Sequence, residues 1–108
     1  AMAIAERILE VDALLPDERF VEVHPELSFA AMAGRVLTSK HRPEGRTERI
    51  VALGDSMGVV PDGPAPIVDR LDALAALWSA RRHAAGESQV LPDPAPCDER
   101  GVPMRIVT

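Results

Sequence analysis

Cysteine occurs once, as Cys97, which excludes an internal disulfide and a cysteine-rich zinc centre. Tyrosine and asparagine are absent, and Phe20, Phe29 and Trp78 are the whole aromatic set. A core must therefore come from aliphatic and small side chains in close approach. No apolar run nears the ~18–20 residues of a membrane span, and no basic-then-apolar signal opens the chain. A cytoplasmic location without membrane contact is expected. Also missing are a glycine-rich phosphate loop, a Ser–His–Asp signature and an aromatic platform for single strands. Twelve basic side chains face 17 acidic ones, a net charge of −5, so contact with nucleic acid would need a local basic patch.

Enough remains for a globular fold: 46% of the 108 residues are hydrophobic, and the length suits one small domain spanning 1–108. Residues 1–2 read as a tag remnant. Ile4, Ile8, Val11 and Leu15 recur at helical spacing over 3–15, until Pro16-Asp17 stops the pattern. Residues 20–24 form the best strand, with Phe20, Glu22 and His24 on one face and Val21 and Val23 on the other. Pro25 can open a helix that Gly34 closes.

Residues 35–45 read as a basic loop. A further helix is expected over 46–57, with Thr47 as its cap and Gly54 as a weakness. Residues 58–66 and 92–97 are proline-rich linkers. The strongest element is a helix over 67–85. Its broad face carries Ile67, Val68, Leu71, Leu74, Ala75 and Trp78; Asp69, Ala73, Ala76 and Ala80 make a second, small-residue face. A helix apolar on two sides is normally sandwiched. Arg81, Arg82 and His83 suit its negative end, and His41 and His83 are expected at the surface. Residues 104–107 make a short terminal strand. The expected class is α/β, helix-rich, with a small sheet that oligomerisation or a missing segment completes, since two strands rarely stand alone.

Three carboxylates draw attention. Asp69 and Asp72 lie one turn apart on the late helix, and Glu22 projects from the strand. Oxygen ligands of this kind suit Mg²⁺ or Mn²⁺, and paired ions of that type clamp a phosphodiester during hydrolysis. Acids in a first helical turn also simply offset the helix dipole, and both readings stay open for Asp69 and Asp72. Glu26, just after Pro25, is read mainly as favouring a helix start. Lys40, Arg46 and Arg49 could meet phosphates, or form a mixed-charge surface with Glu44 and Glu48.

The run Phe20-Val21-Glu22-Val23-His24-Pro25-Glu26-Leu27-Ser28-Phe29 resembles a segment of domain-of-unknown-function family 429. Similar resemblance is carried by Ser39-Lys40, Gly45-Arg46 and Glu48-Arg49-Ile50. Asp69 with Asp72-Ala73-Leu74-Ala75-Ala76-Leu77-Trp78-Ser79-Ala80-Arg81 is similar to the family's late helix, and Asp98 to Ile106 resembles its close. The family is described as predicted nucleases with a ribonuclease H-like fold. The resemblance implies Glu22, Asp69 and Asp72 as catalytic acids, Glu22 and Asp72 as Mg²⁺ or Mn²⁺ ligands, and Lys40, Arg46 and Arg49 as phosphate contacts. It also implies the C-terminal half of a longer domain, incomplete or inactive alone. The alternative from a different class is a non-catalytic α/β module that assembles with copies of itself.

Overall fold

The computed structural model describes residues 21–91 and 106–108. The expected helix over 3–15, Arg19 and Phe20 of the strand, the linker over 92–97 and residues 104–105 lie outside them. Three helices follow in order: α1 (Pro25–Ala33), α2 (Pro43–Met57) and α3 (Ile67–Ala84). Two short strands, β1 (Val90–Leu91) and β2 (Ile106–Val107), complete an α/β arrangement. Among the described residues no helix is long and apolar enough to cross a membrane.

Proline starts α1 and α2, because its fixed φ suits the first turn and its missing N–H is not needed there. Ahead of α1, the His24 carbonyl accepts the first helical bond from Ser28 N at 3.0 Å. Left-handed glycines end both helices, Gly34 at φ 70° and Gly58 at φ 66°. For α2 this corrects the expected start: the helix begins at Pro43, not Arg46. Thr47 lies within it, its hydroxyl donating back to the Pro43 carbonyl at 3.0 Å rather than capping.

The helices meet over Phe29, Ala52, Leu53, Leu71 and Ala75, all buried, with Met32, Leu37, Met57, Val59, Ile67 and Leu74 packed around them. Each large apolar side chain withdrawn here contributes about 1.5–3 kcal/mol against exposure. Where α1 crosses α3 the contact is polar and small: Ser28 Oγ and Ser79 Oγ are buried 2.6 Å apart. On α3 the expected broad face turns inward, though Ser79 reaches the seam and Trp78 stays half-buried. On the second face Asp69, Ala73 and Ala80 are exposed and Ala76 is half-buried, so among the described residues nothing sandwiches it; Leu77 beside it is exposed too.

Residues 58–66 join α2 to α3 without regular structure. Arg70, in the first turns of α3, grips this crossing through Nε to the Ala65 carbonyl and Nη1 to the Pro61 carbonyl, both 2.7 Å.

In the sheet, Val90 lies opposite Val107 and Leu91 opposite Ile106, antiparallel. The pairing extends through Gln89 and Thr108, which exchange backbone bonds of 2.8 and 2.9 Å. Val107 N turns the other way and donates to the Glu22 carbonyl at 2.8 Å. Residues 21–24 are thus extended along the far side of β2 without forming a regular strand. They alternate as expected, with Val21 and Val23 half-buried and Glu22 and His24 exposed. β1 is a strand the sequence did not announce, because Pro92 cuts its apolar run to two residues.

Candidate functional site

The loop between α1 and α2 is pressed onto the first turn of α2. At Gly45 a side chain is impossible: a Cβ would strike the Ser39 carbonyl oxygen and stand 2.6 Å from its carbon and 2.7 Å from the Thr38 carbonyl oxygen. One turn on, Arg49 collects the exposed carbonyls of this junction. Its Nη1 donates to Thr38 O and Gly45 O, each at 2.7 Å, and its Nη2 to Glu26 Oε2 at 2.6 Å. Arg49 is only 3% exposed and lies over the Phe29 ring, 5.5 Å from its centre. This drawing-in of Arg49 orients the loop so that Lys40 projects toward α3.

Lys40 Nζ donates to Asp72 Oδ2 at 3.0 Å and stands 3.5 Å from Glu26 Oε1. One ammonium therefore bridges carboxylates from two helices. The hydrogen bond to Asp72 raises the Lys40 pKa, against the lowering effect of burial, and the charges of Asp72 and Glu26 add to it. Arg46 Nη1 reaches the Lys40 carbonyl at 3.3 Å. On the other flank, Thr38 foremost and then the Arg35 guanidinium, 2.9 Å away, hold the Glu48 carboxyl below its ordinary range.

Asp72 Oδ1 is buried and has no hydrogen-bond partner among the described residues. A carboxylate oxygen withdrawn from water without a donor is unfavourable by roughly 1–3 kcal/mol or more, so it needs a reason.

Of the residues singled out in the sequence, the structure brings Asp72, Lys40, Arg46 and Arg49 into one network. Asp69 is exposed one turn earlier on α3 and makes no ion pair among the described residues. Glu22 is half-exposed and pairs with its neighbour His24, Oε1 to Nε2 at 3.3 Å. Arg49 is buried on protein partners and does not face solvent. His83, expected at the surface, is half-buried with Nδ1 3.0 Å from Ser88 Oγ; His41 is exposed. Glu26 is the member that sequence reasoning undervalued: its two oxygens join Lys40 to Arg49.

Whether these residues fit a divalent ion can be judged from their donors. The junction offers hard carboxylate oxygens, and Asp72 Oδ1 is free to accept, which fits Mg²⁺ or Mn²⁺ by donor type. Among the described residues, however, no three His, Cys, Asp or Glu side chains stand together as a metal cluster. Asp72, with Glu26 beyond Lys40, is the part of a ligand set present at this junction.

Fold and site together define a small α/β domain whose helices converge on interleaved charges, Arg49 buried and Lys40, Asp72 and Glu26 partly exposed. Residues 1–96 match the family described as Protein of unknown function (DUF429), and the chain belongs to that family. The match takes in the first nineteen residues, which carried no visible resemblance, and stops short of Asp98. No curated protein and no solved structure matches the chain.

Proposed function

We propose that the protein is a metal-dependent phosphodiesterase of ribonuclease H-like ancestry acting on nucleic acid, with Asp72 as its central carboxylate. The observation that carries this reading is the buried Asp72 Oδ1, which has no partner among the described residues and lies on the carboxylate that Lys40 binds. Asp72 and Glu26 would hold Mg²⁺ or Mn²⁺, with Glu22 and Asp69 as exposed acids on the flanking segments. A bound divalent ion supplies charge neutralisation at phosphate and a more acidic water. Lys40 has three donors and uses one well-formed bond, so it can turn a further N–H to a phosphate oxygen while remaining on Asp72. Arg49 acts as a positioning residue, fixing Glu26 and the loop behind Lys40; Arg46 steadies that loop through the Lys40 carbonyl.

Mn²⁺ binding followed by water-proton relaxation tests the site directly, with cleavage of labelled DNA and RNA alongside. Asp72→Asn should weaken Mn²⁺ binding at least about tenfold and abolish any cleavage. Equal Mn²⁺ binding by both proteins ends the assignment.

The exposed side of α3 favours a second reading. Ala73, Leu77 and Ala80 recur at helical spacing without cover, Leu77 being 41% exposed. We infer that a second copy of the chain packs along this stripe, as in a non-catalytic homo-oligomeric module. A strictly monomeric mass in light scattering at micromolar concentration refutes it.

A further inference from the structure

At the far end of α3 an open cleft of about 520 Å³ lies between the last turns of α2 and α3. Met57, Trp78, Arg81, Arg82 and Glu87 line it. We propose that this cleft binds a nucleoside phosphate, either a free nucleotide or the phosphorylated end of a strand.

Three observations carry the assignment. The Arg82 guanidinium lies over the Trp78 ring, 4.7 Å from its centre, so a cation and an aromatic side chain, two groups on which bases stack, stand together in the wall of the cleft. Arg82 Nη2 is spent on the Glu87 carbonyl at 2.8 Å, but its buried Nε has no acceptor among the described residues. Arg81 is exposed, and makes no ion pair or side-chain hydrogen bond with any described residue. An N–H without an acceptor beside a second free guanidinium calls for an anion, and phosphate answers Arg geometry best.

The cleft lies at the negative end of α3, which works against an anion, and Arg81 and Arg82 supply the positive charge that offsets it. The Arg81, Arg82 and His83 carbonyls already receive the N–H groups of Ala85, Glu87 and Gly86, at 3.0, 2.8 and 3.1 Å. Glu87 puts one carboxylate on the rim, which disfavours bare phosphate but accepts from sugar hydroxyls or a base amino group. Arg82 lies ten residues beyond Asp72, about 15 Å along the helix axis, so the cleft is separate from the charged junction. The binding does not depend on the chemistry proposed at Asp72.

Trp78 is the single tryptophan and tyrosine is absent, so intrinsic fluorescence reports on this cleft alone. The intact chain, without added metal, is titrated with adenosine monophosphate, adenosine, inorganic phosphate, and oligoadenylate with or without a 5′ phosphate. Saturable quenching by the monophosphate, much weaker with adenosine or phosphate, supports a nucleotide site. Quenching by the 5′-phosphorylated oligomer alone supports a strand end. Arg81→Gln, which removes no contact within the described fold, should weaken binding about tenfold, whereas Asp72→Asn should leave it unchanged. Arg82→Gln should abolish it, with circular dichroism confirming that α3 persists. Overturning results are silence with every probe, equal quenching by adenosine or phosphate, and unaltered affinity in Arg81→Gln.

Discussion

Lys40 and Asp72, 32 positions apart, meet through a 3.0 Å hydrogen bond that ties the loop before α2 to the second turn of α3. Both side chains are largely shielded, with 23% and 29% of their surface exposed. The pair thus links an acid held on α3 to the loop between α1 and α2.

Folding raises the Lys40 pKa, so its charged form is favoured in the native state. The resulting stability is fully present below the ordinary lysine value, about 10.4, and is lost as pH rises through the higher native value. Urea titrations from neutrality to about pH 11 should show wild type losing stability that Lys40→Met has already lost. Parallel alkaline limbs for the two proteins would contradict the pairing.

Gly45 and Gly54 share α2 yet should respond oppositely to alanine. At Gly45 the added methyl meets the backbone of Thr38 and Ser39, which cannot swing away, so Gly45→Ala should destabilise by about 2–3 kcal/mol. At Gly54 nothing lies within 4 Å, and Gly54→Ala should stabilise by about 0.5–1 kcal/mol. Thermal unfolding of both variants checks the contrast, and a loss at Gly54 would count against the helix placement.

Arg49 is expected to be the most sensitive polar position. Arg49→Met leaves Glu26 able to rehydrate, being half-exposed, but strips the Thr38 and Gly45 carbonyls of their charged donor. We expect a loss of roughly 2–4 kcal/mol, with Arg49→Lys intermediate because one ammonium cannot span all three acceptors. Chemical denaturation measures this; a neutral Arg49→Met would refute the role given to the guanidinium.

Local signals located the helices well wherever they act at short range. Pro25 and Gly34 bracket α1, and the apolar spacing after Pro66 marks α3. Pro43 uses the same device but escaped notice, since Gly45 two residues later resembles loop sequence. Its reason for being glycine is the approach of Ser39, a contact along the folded chain that no periodicity reveals. The candidate site divides in the same way. Asp72, Lys40 and Arg49 stand out by residue type, yet their mutual pairing depends on the loop path that Gly45 permits. Glu26 has a sufficient local explanation as a first-turn acid, which hid its bridging part. Trp78 and Arg82, four apart on one helix, were legible as neighbours; the cleft beside them needed the end of α2.

The Arg70 grip on residues 58–66 bears on the order in which the molecule assembles. Pro61, Pro64 and Pro66 bring no amide hydrogens to this crossing, and two of its carbonyls are secured from outside by one side chain. That side chain is aimed only after the opening turn of α3 has wound. The crossing thus acquires its shape late, and the two helices it joins must find each other while their tether is still slack.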